Sequence, residues 1–368
     1  VVLQQDDAVL NRRNNNIDIH TLTFKHLITG GQEMTTSGRK WLVTGLLAMG
    51  MAWSGIASAI TEIRIAAPDI GAGTKPSGGG LLDVIHSQKL LEREFGKDGI
   101  SVRWTFIKGA GPVINEAFGN HQVDVAYLGD LASIIGRSRG LDTRVIAVAS
   151  RGINHYLAVA KGSGIERIPD LKGKRIGIFR GTAGELSFVS ALDSQGLKPS
   201  DVKLINLDFA AASAALAAGQ IDATWGGSNT LSLRDKGLAD IPLSSRDLDG
   251  AGQLSGFLLV DEKFAKGNED ILRRLVKVQR EAANWASDAK NKDEFIRLLA
   301  TQSGYPENIL RVEWDTLPPL TERLSPELDP AFVEKLKRAV TLAYESRLIR
   351  QPFDVDKWLD NSYLKATQ

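Results

Sequence analysis

Gln122-Val-Asp-Val-Ala-Tyr-Leu-Gly-Asp130 and Gln220-Ile-Asp-Ala-Thr-Trp-Gly-Gly-Ser228 lie 98 residues apart and share one pattern. Each runs Gln, Val or Ile, Asp, two small residues, an aromatic, then Gly. Each reads as a short strand, Val123–Tyr127 and Ile221–Trp225, that runs into a helix start at Asp130 or Ser228. The surroundings repeat as well. Upstream of the first copy, strands are predicted at Ile63–Ala67 and Ser101–Ile107. Helices are predicted over Gly79–Phe95 and after Gly111-Pro112, where Pro sits in the first turn. Upstream of the second copy, strands are predicted at Arg175–Phe179 and Val202–Leu207, with helices over Thr182–Gly196 and Ala210–Ala218. Strand–helix alternation at this spacing indicates parallel βαβ units.

The expected fold class is therefore α/β, with two lobes, each a mostly parallel sheet flanked by helices. Tyr156–Ala160 and Gly256–Val260 are expected as two strands crossing between the lobes. Lobe I would comprise residues 61–152 plus 254–368, and lobe II residues 153–253. The last hundred residues read as helices over Glu269–Ala289, Lys292–Gln302, Pro306–Leu317 and Asp329–Glu345, with Trp285, Trp314 and Trp358 as core anchors.

Composition narrows the function. The 368 residues carry 45 Lys and Arg against 44 Asp and Glu, and no Cys. A net charge of +1 lacks the basic surplus of a nucleic-acid binder. Without Cys there is no thiolate nucleophile and no Cys-ligated metal. From Met34 a short basic n-region (Arg39, Lys40) leads into an apolar stretch from Trp41 to about Ile56, closed by Ala57-Ser58-Ala59. These are the parts of a secretory signal peptide over 34–59, cleaved after Ala59. Residues 1–33 are read as a non-native upstream extension. Beyond Ala59 the two signs of charge balance. The expected location is the periplasm.

Known motifs fail. Gly71-Ala-Gly-Thr-Lys-Pro-Ser-Gly-Gly-Gly80 follows a strand and opens a helix, but it fits neither dinucleotide nor P-loop spacing. No GxSxG elbow and no HExxH occur. His86 and His121 read as packing or surface residues. No catalytic residue, metal ligand or cofactor is expected, and the chain is read as a binding protein.

The remaining chemistry is backbone chemistry. Rim loops at Pro76–Gly80, Lys108–Pro112, Gly129–Leu131, Gly181–Glu185 and Trp225–Asn229 each open a predicted helix. A helix N-terminus presents up to four unpaired N–H donors and about half a positive charge. Such ends bind anions, at the carboxyl edge of the strands. Thr182 to Glu185 fits a capping box, and Asp130 reads as a cap. Arg180 is a candidate fork for an oxyanion. Trp225 and Tyr127, at matching strand ends, are candidate walls for an organic ligand, with core packing as the alternative. Asn154 and His155 lie at the first crossing as candidate hinge or ligand contacts. Replacing Gly111 with Pro is expected to weaken binding and spare the fold.

Three further segments carry a resemblance: Lys108-Gly-Ala-Gly-Pro112, Gln122 to Gly129, and Asp170-Leu-Lys-Gly-Lys-Arg-Ile-Gly-Ile178. With them, essentially the whole chain from Ile63 resembles the periplasmic solute-binding proteins of ABC importers for aliphatic sulfonates, taurine and nitrate. The resemblance implies the type II periplasmic-binding-protein fold, with the C-terminal helices packed on the first lobe. It implies capture of a small organosulfur anion, a sulfonate, taurine or a sulfate ester, by a monomer that delivers it to an inner-membrane ABC permease. By position it carries ligand contacts to Ser77, Gly78, Ala110, Gly111, Gly129, Gly181, Thr182, Ala183, Trp225, Gly226 and Ser228. Leu128-Gly-Asp-Leu131 and Trp225-Gly-Gly-Ser228 depart from the Thr-Gly-Glu-Thr and Trp-Asp-Pro of sulfonate binders. A nitrate or bicarbonate binder, or a ligand-sensing protein, therefore stands as the alternative. The enzyme branch of this fold, for pyrimidine precursor synthesis, depends on Cys and His residues, and this chain has no Cys.

Overall fold

The computed structural model describes residues 60–316 and 318–367. The leader over 34–59 and the segment 1–33 lie outside the described residues. The described residues form ten strands: β1 (Glu62–Pro68), β2 (Ser101–Ile107), β3 (Val125–Gly129), β4 (Thr143–Ile153), β5 (Tyr156–Ala160), β6 (Arg175–Ile178), β7 (Lys203–Asn206), β8 (Ala223–Gly226), β9 (Ala239–Ser244) and β10 (Leu254–Asp261). They form two five-stranded sheets, ordered β2-β1-β3-β10-β4 and β7-β6-β8-β5-β9. Both sheets are mixed. In each, three consecutive parallel strands are followed by one antiparallel strand, β10 or β5, and then by an edge strand, β4 or β9, that runs antiparallel to it.

The repeated Asp explains why the two halves fold alike. In the first sheet Asp124 accepts the Arg64 amide at 2.8 Å and its Nε at 2.9 Å, while Arg64 Nη1 donates to the His121 carbonyl. In the second, Asp222 accepts the Arg175 amide at 2.7 Å and its Nε at 3.2 Å, while Arg175 Nη2 donates to the Gly219 carbonyl. One carboxylate thus clamps the first strand of its βαβ unit to the start of the third. Hydrogen bonds to a charged group are worth about 1.5–3 kcal/mol each, so the pair sets the register of β1 against β3 and of β6 against β8.

Several expected elements differ in detail. The helix expected over Gly79–Phe95 is two, Gly80–Ser87 and Leu90–Phe95, broken where Lys89 takes φ 53°. β4 and β9 were not anticipated. The segments expected to span the lobes instead sit inside the sheets: β5 pairs with β8 and β9, and β10 with β3 and β4. Ile153 still pairs with Leu254 in the first sheet. The chain crosses at Asn154-His155 and returns through residues 245–253.

The C-terminal helices Glu269–Ser287 and Lys292–Ser303 pack on the first sheet, as does Pro330–Glu345. The helix Glu307–Trp314 does not stay with that lobe alone. Its Leu310 and Trp314 join the first core, while Ile309 packs on Tyr156 and Leu231 of the second half. Trp314 and Trp358 are buried and Trp285 is half-buried.

Removing the Asp124 carboxylate strands a backbone amide and a guanidinium together. Asp124→Ala is expected to lower unfolding free energy by about 3 kcal/mol. Asp222→Ala should cost less, since the Asp222 side chain is 28% exposed against 8% for Asp124. Urea denaturation of both variants checks the order.

Candidate functional site

Between the sheets lies a cavity of about 280 Å³. Helix starts from both halves reach it: Gly80–Ser87 and Ala110–Gly119 from the first, Ala183–Asp193 and Ser228–Asp235 from the second. The rims touch. A Cβ built on Gly129 would lie 2.7 Å from the Ala183 Cβ, and one on Gly181 would lie 3.1 Å from Pro112 Cγ. Glycine at these places lets two backbones approach.

The donors at the rim divide into those already used and those without a partner. Asp83 accepts the Gly78 and Gly79 amides at 3.0 and 3.1 Å and the Ser77 hydroxyl at 2.6 Å. Burial pushes its carboxyl up to about 6, against the pull of those three donors. Asp130 is not an N-cap. It is the first residue of its own helix, its carboxylate taking the Leu131 and Ser255 amides, and burial pushes it up to about 6. By contrast, the amides of Ala110, Gly111, Thr182, Ala183, Gly184, Gly227 and Ser228 find no acceptor among the described residues, and all these residues line the cavity.

The side chains expected to assist are partly elsewhere. Ser77, Gly78, Ala110, Gly111, Gly129, Asn154, His155, Thr182, Ala183 and Ser228 line the cavity; Arg180, Gly181, Trp225 and Gly226 do not. Arg180 is turned to Glu185, Nε to Oε1 at 3.1 Å, and lies outside the cavity lining. Glu185 also takes the Gly181 amide at 2.7 Å. The Thr182 hydroxyl donates to the Phe179 carbonyl instead of capping Glu185, and the Glu185 carboxylate turns to Gly181, so neither bond of the expected capping box is made. Trp225 belongs to the second core, its indole N–H donating to Ser187 Oγ at 2.7 Å, so it does not wall a ligand. Tyr127 reaches the cavity, with its hydroxyl donating to Gln279. Gly111 is unsuited to substitution by Pro: a Cβ there would lie 2.2 Å from that of Ala132, inside the first lobe.

Two groups at the crossing were missed as partners. Glu313, from the helix Glu307–Trp314, accepts the Asn154 amide and the Tyr156 hydroxyl, both at 3.2 Å, and pairs with the buried Arg323 guanidinium. Arg246, in the return segment, lies 3.5 Å from its Oε2. Burial pushes the Glu313 carboxyl up, opposed chiefly by Arg323. One carboxylate therefore ties both crossings to the C-terminal helices. Glu313 lies 159 residues from Asn154 and 67 from Arg246, which left no local signal.

His155 is buried between the starts of the Ala183 and Ser228 helices, its ring 3.5 Å from a Cβ built on Gly184 and 3.9 Å from one on Gly227. Ser187 Oγ donates to the Gly252 carbonyl, so the 3.4 Å contact with His155 Nδ1 is one in which the ring donates. Burial pushes its pKa down to about 4. Among the described residues, the cavity lining holds no Lys and no Arg. With a neutral imidazole, the positive potential here comes from peptide dipoles.

A crevice of helix N-termini between two mixed sheets has close relatives. The family model described as NMT1/THI5 like matches residues 95–292. The chain belongs to the NMT1/THI5-like family. A Bacillus subtilis protein named as an aliphatic sulfonates-binding protein is 27% identical over 278 residues, 75% of this chain and 81% of the relative. Among solved structures, a periplasmic sulfonate-binding protein of a sulfonate ABC transporter from Methylobacillus flagellatus superposes with a TM-score of 0.72 at 30% identity. That superposition covers 84% of this chain and 94% of the other. An alkanesulfonate-binding protein from Xanthomonas axonopodis, solved with MOPS, has a TM-score of 0.69 over 82% and 99% at 22% identity, a likeness of fold. The chain shares the periplasmic-binding-protein fold of these neighbours, and its described residues form two mixed sheets flanked by helices.

Depressing the His155 pKa ties stability to pH in a definite direction. The folded state favours neutral His155, so its contribution is complete above about 6.5 and is lost as pH falls through about 4. Between pH 7 and pH 4.5 the wild type should lose about 2–3 kcal/mol more unfolding free energy than His155→Gln. Equal losses in the two proteins would contradict the assignment.

Proposed function

We propose that this chain is the periplasmic substrate-binding component of an ABC import system, capturing a small organosulfur anion of the sulfonate class and delivering it to an inner-membrane permease. The observation that carries the reading is the set of unpartnered amides around a cavity without a cationic side chain. Hydrogen bonds from amides to an ionised acceptor are stronger than neutral ones, and an enclosed site strengthens them further. Ala110, Gly111, Thr182, Ala183, Gly184, Gly227 and Ser228 are the proposed contacts, with Ser77, Gly78, Gly129, Asn154 and His155 around them.

The names of the Bacillus and Methylobacillus relatives support the sulfonate class. The leader-like segment 34–59 supports export to the periplasm, with the segment removed after Ala59. Touching rims support a cycle in which the two halves separate to admit the ligand and meet again around it. Lobe I is proposed as residues 61–153 plus 254–368, and lobe II as the segment between.

A thermal-shift panel of alkanesulfonates, taurine, aryl sulfate, sulfate, nitrate and bicarbonate tests the ligand class. An organosulfur anion at 100 times its Kd should add about 2.7 kcal/mol of stability. No shift with any organosulfur anion would contradict the reading, and a shift with nitrate or bicarbonate alone would move it to inorganic anions. Gly129→Ala puts a methyl where the Ala183 Cβ must approach. It is expected to weaken binding of the responding anion more than tenfold, while the free protein unfolds as the wild type does.

A further inference from the structure

The helix Glu307–Trp314 belongs to the first half by one face and touches the second by another. Leu310 and Trp314, spaced i, i+4, are set in the first core. The Arg323 guanidinium lies 4.8 Å over the Trp314 ring and donates to the Glu313 carbonyl at 2.6 Å. Arg311 is tied to Asp293 of the helix Lys292–Ser303 at 2.8 Å. The other face leaves this anchorage. Ile309 is buried against Tyr156 and Leu231, and Asn308 Nδ2 donates to Asp235 Oδ2 at 2.7 Å.

Leu231 and Asp235 both stand on the helix Ser228–Asp235. Its first residue carries one of the unpartnered amides at the cavity, and its last is bonded to Asn308. At 1.5 Å per residue, about 12 Å separates these ends. Leu231, Asp235, Asn308 and Ile309 do not line the cavity, so a change at any of them reaches a ligand through the position of the second half. They also lie unequally far from the crossings. Tyr156 pairs with Ser244 beside the crossings, whereas Ala239, four residues after Asp235, pairs with Ala160 at the far end of β5. A rotation about the crossings therefore moves Asp235 further than Tyr156.

Resting on the cycle of separating halves described above, we propose that the helix Glu307–Trp314 is a latch. Asn308 on Asp235 and Ile309 on Leu231 hold the second half against the first, with or without a ligand. The latch parts when the halves separate. It thereby sets how much of the ligand-free protein is closed and how fast a bound anion leaves.

The chain has no Cys, so two introduced ones alone take spin labels. Glu116→Cys and Ala214→Cys are exposed positions on the helices Ala110–Gly119 and Phe209–Ala217, whose first residues line the cavity. Electron–electron double resonance then reads the distance between the halves. Without ligand, this labelled parent is expected to show a narrow and a wide population. Ile309→Ala is expected to lower the narrow-to-wide ratio about tenfold or more. Asn308→Asp sets two carboxylates together at an exposed position that spares the core, and is expected to lower it about three- to fivefold. Adding Asp235→Asn to Asn308→Asp again faces an amide with a carboxylate, and should restore the ratio to within about twofold. Release of benzenesulfonate, followed by stopped flow, should speed by the same factors while its association rate holds. A parent with a single population, or variants with unchanged ratio and release rate while anions still narrow the distribution, would overturn the latch and leave the binding reading standing. A distribution that no anion of the panel changes, in parent and variants alike, would overturn the binding cycle and the latch with it.

Discussion

Peptide amides that face a cavity without an acceptor among the described residues are the constraint around which this molecule is organised. A buried N–H left unsatisfied is unfavourable, and here such groups from several helix starts share one cavity. Two mixed sheets are needed to bring them together, because one sheet exposes its helix starts along a single rim. Glycines at 129 and 181 permit the approach, since side chains there would meet Ala183 and Pro112. The groups that would compete with an anion are diverted. Asp83, Asp130 and Glu185 take up neighbouring amides from positions of their own, and Arg180 is spent on Glu185. What remains is a neutral site with a directed positive potential, suited to an anion that must be held and then released.

The link between the halves rests on a different kind of interaction. Glu313 gathers the first crossing, Arg246 of the return segment and the buried Arg323 at one point. Buried ion pairs contribute little net stability but penalise the loss of one partner heavily. Such a cluster therefore specifies geometry at the crossing more than it strengthens the fold. The helix that carries Glu313 also packs on Tyr156 and Leu231 through Ile309, which makes the C-terminal region a third participant in any movement between the sheets.

Much of the fold was legible because its decisive contacts are written locally. The Gln-x-Asp repeat announced two equivalent strands, and the Arg64–Asp124 and Arg175–Asp222 clamps explain why those positions match. β9 was missed because Pro242 argues against a strand; it is tolerated because β9 is an edge strand. The rim loops were legible as helix starts, but the partners of their donors were not. The Thr182-to-Glu185 spacing fits a box equally well whether Glu185 turns to Thr182 or to Gly181. Trp225 could not be assigned from alternation, since both faces of β8 are buried and the deciding Ser187 hydroxyl lies 38 residues away. Leu310, Glu313 and Trp314, which line the cavity, come from the far end of the chain, where only packing reveals them.

Amide resonances report on the central interaction directly. Titrating 15N-labelled protein with benzenesulfonate while recording 1H–15N correlation spectra follows each N–H separately. The largest downfield proton shifts are expected at Thr182, Ala183, Gly184, Gly227 and Ser228, with Gly78 and Gly79, already bonded to Asp83, moving little. Shifts confined to surface lysines or to residues outside the cavity, with those five amides unmoved, would contradict the account.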